Sequence, residues 1–139
     1  MTRYWLMKSE PDVYPWDQLV REKKGHWDGV RNHTAARIMK AMKKGDLAFF
    51  YHSNIGKEIV GIMEIVKEAY PDPTDETGKF VMVDVKPVKA FPKPVTLADI
   101  KSKPAFRDMD LIRLSRLSVG QVTEKDWKAL CKMGGLNES

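Results

Sequence analysis

The 139-residue chain contains a single cysteine, Cys131, so it cannot form an internal disulfide bond. A chain without disulfides fits a reducing compartment, and we expect a cytoplasmic protein in which Cys131 is an inert small side chain on the last helix. Long apolar runs are also missing. The stretch from Leu47 to Tyr51 is far shorter than the roughly 18 residues that cross a bilayer, and the amino terminus shows no leader pattern. We therefore expect no membrane partner.

Residue patterns that bind common cofactors are absent as well. The three histidines, His26, His33 and His52, lack the spacing of metal ligands, and Cys131 has no ligand-type neighbour in the sequence. The sequence contains neither a Walker loop nor a Gly-x-Gly-x-x-Gly run, which disfavours nucleoside triphosphates and dinucleotides as ligands. We predict that the protein uses no metal and no cofactor.

Length and composition predict one domain over residues 1–139, with 42% hydrophobic residues for its core, and we expect a monomer. The formal net charge of +5 permits a nucleic-acid partner without requiring one. The basic residues are clustered: no acidic residue lies between Arg31 and Lys44, and only Asp99 interrupts the lysines from Lys86 to Lys103. Such clusters favour a polyanion partner, although an ordinary solvated face has the same pattern.

Hydrophobic periodicity and capping residues predict four helices. One lies between Asp12 and Lys24 and ends at Gly25, and a second runs from Asn32 as N-cap to a stop at Gly45. A short helix opens at Thr96 and a last helix at Thr123. Strands are predicted at Tyr4–Met7, Leu47–Tyr51, Glu58–Tyr70, Phe80–Phe91 and Arg116–Val119.

Two polar loops join the central strands. His52–Lys57 is predicted to form a hairpin loop with Gly56 as its turn residue, and we expect the loop Pro71–Gly78 to be mobile. The order of elements predicts an α+β fold in which a bent antiparallel or mixed sheet closes toward a β-barrel and helices flank its openings.

The most informative short segment is Trp27–Asn32. It combines an apolar platform in Trp27, a glycine, a guanidinium in Arg31 and an amide in Asn32. A tryptophan offers a π-face for stacking, an amide offers a donor and an acceptor, and Arg31 at a helix entrance favours phosphate. The segment therefore predicts a loop that holds a nucleobase. The alternative is a core tryptophan beside a solvated turn.

Polar side chains gather where predicted strands begin or end. They occur in Lys8–Glu10, Tyr51–Asn54 and Leu114–Ser118. If the sheet brings these segments together with Trp27 and Asn32, they form a concave pocket with aromatic, hydroxyl, amide and imidazole groups. Stacking of one base is worth about 1–3 kcal/mol, and polar side chains would read the edge of the base.

An enzyme remains an alternative. Ser9 or Ser53 with His52 and Glu10 supplies the residue types of a hydrolase triad. The nucleophile elbow Gly-x-Ser-x-Gly is absent, however, and most chains of this length contain these residue types. We therefore expect no catalytic residue.

Six segments, in order and spacing, closely resemble the bacterial EVE domain proteins, which belong with the YTH and ASCH domains in the PUA-like superfamily. The resemblance covers about residues 3 to 134. The segments are Tyr4–Pro11, Trp27–Asn32, Phe50–Asn54, Ile59–Gly61, Glu68–Asp72 and Arg116–Val119.

This resemblance implies a PUA-like β-barrel that binds nucleic acid and reads a modified base, with 5-methylcytosine or its oxidised forms in DNA as the leading interpretation. Trp27 would form an aromatic wall, with Tyr51 or Trp5 as a second one, although Trp5 and Trp16 fit the core better. The implied pocket residues are Lys8, Ser9, Trp27, Asn32, Tyr51, His52, Ser53, Arg116 and Ser118.

The resulting hypothesis is a non-enzymatic reader of a modified base in DNA or RNA. Its phosphate contacts would be Arg31, Arg37, Lys40 and Lys44. Two alternatives stay open: a small enzyme of nucleic-acid or nucleotide metabolism that uses His52 with Glu10 or Ser9, and a general PUA-like RNA-binding module.

Overall fold

A computed structural model describes residues 2–136 of the chain and shows an α+β fold. Six strands form one sheet, and helices lie around it. The elements are β1 (Tyr4–Ser9), α1 (Trp16–Glu22), β2 (Gly25–Trp27), α2 (His33–Ala41), β3 (Leu47–His52), β4 (Glu58–Pro71), β5 (Val81–Thr96), α3 (Leu97–Lys101), a 3-10 turn (Pro104–Phe106), α4 (Asp110–Arg113), β6 (Val119–Val122) and α5 (Glu124–Met133).

The strand order is β2-β5-β4-β3-β1-β6, and the sheet is mixed because β1 and β3 run parallel while the other neighbours are antiparallel. Register shifts interrupt the long β4–β5 pair at four places, and such bulges bend strands. The edge strands β2 and β6 do not pair with each other, so the predicted barrel is an open, bent sheet. Helix α2 lies against both β5 and β6 and so covers the gap.

Two apolar clusters lie on the two faces of the sheet, because neighbouring residues of a strand point in opposite directions. Trp5 and Phe50 belong to the first cluster, and Leu6 and Phe49, their sequence neighbours, belong to the second. Trp5 and Trp16 are both buried, as predicted. Trp16 packs directly on Gly61, where an added Cβ would lie 2.6 Å from the indole ring.

The predicted helix caps are confirmed. Asn32 Oδ1 accepts a hydrogen bond from Ala35 N at 2.9 Å, and the hydroxyls of Thr96 and Thr123 accept hydrogen bonds from the backbone N–H groups three residues later. Helix α5 ends at Gly134 as expected, and it carries Cys131, which is buried. Burial raises the pKa of the Cys131 thiol to about 11.

The boundaries of two predicted helices are wrong. Helix α1 is closed by Lys23 with φ 66°, and Gly25 begins strand β2, which the sequence does not predict. Three residues are too few for a periodic signal, and β2 exists because β5 pairs with it. Helix α2 ends at Ala41, and Gly45, with φ 96°, belongs to the turn before β3.

The late strands also differ from prediction. Strand β5 continues past Pro92 and Pro94 to Thr96. It pairs with β2 only over Val83–Val85, so its later residues have one free edge, where proline is tolerated. Strand β6 begins at Val119, which leaves Arg116–Ser118 in the preceding loop.

Two further observations concern the described residues 2–136. No helix among them is long and apolar enough to span a membrane. No group of three or more histidine, cysteine, aspartate or glutamate residues among them could hold a metal ion.

Candidate functional site

An open cleft of about 1360 Å³ lies beyond the carboxyl ends of β1 and β3. Because these strands are parallel, with Ser9 opposite His52, their following loops meet at one edge of the sheet. The loop after β2 and the segment before β6 complete the cleft. The predicted pocket requires that these segments meet, and the parallel pairing of β1 with β3 brings the first two of them together.

Most of the predicted pocket residues line this cleft. They are Lys8, Ser9, Trp27, Asn32, Tyr51, Ser53, Arg116 and Ser118, together with Arg31. His52 is not among the lining residues. The exposed side chains of Arg37, Lys40 and Lys44 also lie outside the cleft, on α2 and in the turn that follows it.

His52 faces the first apolar cluster instead of the cleft. Its Nε2 accepts a hydrogen bond from the backbone N–H of Trp16 at 3.1 Å, and its ring packs edge-on against Phe50 with 5.6 Å between centroids. Burial lowers the pKa of His52. The structure therefore does not bring His52 together with the other predicted pocket residues, because alternation along β3 places it on the side of Phe50.

The candidate triad is not assembled. Ser9 Oγ donates its hydrogen bond to the backbone carbonyl of Tyr14 at 2.6 Å, and Glu10 accepts one from the side chain of Asn54. Since His52 Nε2 is already bonded to the backbone of α1, no nucleophile and base are paired here.

Trp27 is both a core residue and a wall of the cleft. Only 7% of its surface is exposed, and its ring packs edge-on against Phe50 at 5.3 Å and Tyr14 at 6.4 Å between centroids. Tyr14 is half-buried and also lines the cleft. Sequence reasoning missed Tyr14, although an aromatic residue soon after Lys8–Pro11 was a usable signal.

The loop after Trp27 is held by a buried carboxylate. Asp72 Oδ2 accepts hydrogen bonds from Gly29 N at 2.9 Å and from the Arg31 guanidinium at 3.1 Å. Burial alone would raise the pKa of Asp72, but hydrogen bonds from Thr74, Gly29 and Arg31 together lower it. Gly29 has φ 79°, a conformation that favours glycine. The Trp27 loop is thus anchored to the loop before β5.

This anchor also occupies Arg31, which was predicted to contact phosphate. Besides Asp72, its guanidinium donates a hydrogen bond to the Thr74 hydroxyl at 2.8 Å and lies over the Phe80 ring at 5.6 Å. The loop that was expected to be mobile is well bonded in itself, since Asp75 accepts hydrogen bonds from Thr77 and from the backbone up to Phe80.

Few polar groups of the cleft remain available to bind a ligand. The Asn32 side-chain oxygen is used by the α2 cap, so its amide N–H groups are what it can offer a ligand. Lys8 Nζ donates to the Ser115 carbonyl at 2.8 Å and lies 5.9 Å from the Tyr51 ring centroid. Burial lowers the pKa of Lys8 and raises that of Tyr51 to about 12. Tyr51 is therefore a neutral phenol at physiological pH.

A second polar cluster lies at the edge of the cleft and was not predicted. His26 Nδ1 is 2.7 Å from Asp84 Oδ1, to which Tyr70 also donates a hydrogen bond. Lys24 lies 3.7 Å from the other oxygen of Asp84. Burial would raise the pKa of Asp84, but the bonds from Tyr70 and His26 lower it. The buried Asp84 carboxylate thus fixes one ring nitrogen of the exposed His26.

Comparison with known proteins agrees with the resemblance seen in the sequence. The family model of the EVE domain matches residues 3–133. An NMR structure of a Rhodopseudomonas palustris protein is 58% identical, with a TM-score of 0.93 over 99% of this chain and 97% of that one. Human thymocyte nuclear protein 1 (THYN1) is 34% identical over 161 residues, which cover 91% of this chain and 72% of the human protein.

Two of the similar structures contain nucleic acid. Human THYN1 in complex with 5-methylcytosine-containing DNA is 33% identical, with a TM-score of 0.87 over 96% of this chain and 98% of that one. The YTH domain of Zygosaccharomyces rouxii MRB1 in complex with N6-methyladenosine RNA shares the fold, with a TM-score of 0.56 at 15% identity over 99% of this chain and 90% of that one.

Proposed function

This chain belongs to the EVE domain family, and on that basis we propose that it is a non-enzymatic nucleic-acid-binding module that holds a modified base beside Trp27. The observation that carries the proposal is the cleft, where an anchored aromatic wall faces hydrogen-bonding groups and the side chains of Ser9, Glu10 and His52 are not paired with one another. We propose further that the protein acts as a monomer in the cytoplasm.

The cleft offers the two kinds of contact that a single base needs. Tyr14 and Trp27 present aromatic surface, and stacking on such surface is worth about 1–3 kcal/mol per base. Asn32 presents N–H donors, which suit the carbonyl oxygen or ring nitrogen acceptors of a cytosine edge. Ser53 and Ser118 line the same cleft with hydroxyl groups that both donate and accept.

The leading candidate is 5-methylcytosine, or an oxidised form of it, in DNA. The similarity to human THYN1, whose structure contains 5-methylcytosine DNA, supports this choice. General RNA binding without a preference for modification is the second candidate. An enzyme that uses His52 is disfavoured, since that ring faces the core.

The test is a binding array of modified and unmodified oligonucleotides, single-stranded and duplex, in DNA and RNA. We expect the tightest binding to DNA that contains a modified cytosine, and no change in the mass of the bound oligonucleotide. Equal binding to modified and unmodified sequences would favour the general module. A protein-dependent product would favour the enzyme.

A matched pair of variants tests the role of Asn32. Serine caps a helix about as well as asparagine but lacks the amide donors, so Asn32→Ser should leave folding intact and cost about 0.5–1.5 kcal/mol of binding. Thr123→Ser makes a similar cap exchange at α5, and Thr123 does not line the cleft. If both variants bind like the wild type, Asn32 does not contact the base.

A further inference from the structure

Charge is divided unequally between the two sides of the cleft. On the side of Trp27, the cations are already paired with buried carboxylates, Arg31 with Asp72 at 3.1 Å and Lys24 with Asp84 at 3.7 Å. Acidic residues also line this side, namely Glu22 and Asp28. A phosphate on this side would meet cations that are already paired and two further negative charges.

The opposite side has three exposed cations, Lys57, Lys101 and Arg116, which we call the basic arm. Within residues 2–136 none of the three forms an ion pair. Between positions 57 and 118, the lining residues include no aspartate or glutamate. Glu10 also lines the cleft and accepts a hydrogen bond from Asn54 in the hairpin that carries Lys57, but none of the three cations is paired with it. The basic arm therefore presents three cations without ion-pair partners among the described residues.

Three separate elements carry the basic arm; a hydrogen bond joins two of them, and another ties the third to β1. Lys57 belongs to the β3–β4 hairpin, and its carbonyl accepts a hydrogen bond from Leu97 N at the start of α3, at 2.8 Å. Lys101 ends α3. Arg116 follows Ser115, whose carbonyl accepts the hydrogen bond from Lys8 Nζ. These cations are far apart in sequence and converge only in the folded chain.

Apolar side chains line the cleft together with these cations. Leu97, Leu111 and Ile112 are among the lining residues and belong to the second apolar cluster, as does Tyr51. A lining that combines apolar side chains with cations matches a nucleic-acid strand, which has apolar sugar faces and regularly spaced phosphates.

We propose that the basic arm binds the sugar-phosphate backbone of the strand whose modified base lies beside Trp27. This inference rests on the proposed function and assigns the backbone path within the same cleft. It places the phosphates on Lys57, Lys101 and Arg116. The sequence alone pointed to Arg31, which lines the cleft but is paired with Asp72, and to Arg37, Lys40 and Lys44, which lie outside the cleft. The strand crosses from the aromatic wall, over the ends of β1 and β3, to α3.

Two triple variants with equal loss of charge test the inference. One carries Lys57→Gln, Lys101→Gln and Arg116→Gln, and the other carries Arg37→Gln, Lys40→Gln and Lys44→Gln. All six side chains are exposed, and thermal unfolding checks that both variants stay folded. The probe is a single-stranded DNA oligonucleotide with one 5-methylcytosine, and its dissociation constant is measured over a series of salt concentrations.

We expect the affinity of the basic-arm variant to be roughly tenfold to a hundredfold lower than that of the wild type. The slope of log affinity against log salt concentration should become shallower by about 0.7 for each lost phosphate contact. The α2 variant should keep the wild-type slope. An unchanged slope in the basic-arm variant, or an equal loss in both variants, would overturn the backbone path while the proposed function stood. Wild-type protein that binds no oligonucleotide, modified or not, would overturn the proposed function itself.

Discussion

The Asp72 carboxylate lies 3.1 Å from the Arg31 guanidinium and joins two loops that are 41 residues apart in the chain. The Asp72 side chain is fully buried, whereas that of Arg31 is 40% exposed. Because the same carboxylate also binds Gly29 N and Thr74, it fixes the backbone that follows Trp27. The geometry of the cleft wall therefore depends on one residue outside it.

We predict that Asp72→Asn lowers the free energy of unfolding by about 1–3 kcal/mol. The new amide brings donors toward the donors of Gly29 and Arg31 and so leaves buried groups unpaired. Urea denaturation measures the change. Asp12→Asn makes the same exchange at an exposed position and should have little effect; equal stability of the two variants would contradict the anchoring role.

The contribution of Asp72 to stability should depend on pH. Burial would raise its pKa, but the bonds from Thr74, Gly29 and Arg31 hold it below its usual value of 3.8. Since the folded protein binds this proton less readily than the unfolded chain, the stabilisation is present above that value and is lost as pH falls through the lower, folded pKa. The stability difference between wild type and Asp72→Asn should be constant between about pH 7 and about pH 5 and shrink below about pH 4.

Trp27 should contribute to both stability and binding. Because Trp27 is buried in the first apolar cluster, Trp27→Ala should lose about 3–5 kcal/mol of stability. Trp27→Phe keeps an aromatic ring there and should fold. Its binding to the modified oligonucleotide should weaken by up to about 1–3 kcal/mol, because the ring offers less surface for stacking.

Trp16→Phe is the matched control for Trp27→Phe. Trp16 belongs to the same apolar cluster and has the same 7% exposure, but it does not line the cleft. Both variants should lose similar stability in urea denaturation. Only Trp27→Phe should lose affinity in a fluorescence anisotropy titration; equal affinities would show that Trp27 is a core residue alone.

His52→Gln separates a reader from an enzyme. Glutamine retains an acceptor for the Trp16 N–H, and the side chain does not line the cleft, so we expect unchanged affinity and no product with either protein. A hydrolase with His52 as its base would instead lose turnover by about 10²–10⁴. Mass spectrometry of the incubated oligonucleotide detects any product.

The same variant tests the burial of His52 through pH. Burial lowers its pKa from the usual 6.5, so the folded protein binds the proton less readily than the unfolded chain. The contribution of neutral His52 to stability should be complete above about pH 6.5 and should be lost as pH falls through the lower pKa of the folded protein. In His52→Gln this part of the pH dependence should be absent.

Local patterns in the sequence were sufficient to predict much of this structure. Its place in an apolar predicted strand assigned Trp5 to the core, and side-chain caps placed the starts of α2, α3 and α5. Lys8, Ser9 and Ser53 were predicted at the site because polar residues at strand ends gather at one edge of a sheet. The burial of Trp5 and the helix caps depend on residues within a few positions of one another, whereas the meeting of Lys8, Ser9 and Ser53 also needs the parallel pairing of β1 with β3.

Contacts between distant residues decided the rest. Arg31 has a phosphate-binding sequence context, but Asp72, 41 positions away, holds it in the fold. His52 has a catalytic residue type, but its position on β3 turns it toward Phe50 and the backbone of Trp16. Strand β2 exists only because β5 pairs with it. The sequence by itself determined which residues could form a base-binding cleft. The tertiary structure decided which of these side chains point into the cleft, because contacts between distant residues pair polar and charged groups that have no partner in the local sequence.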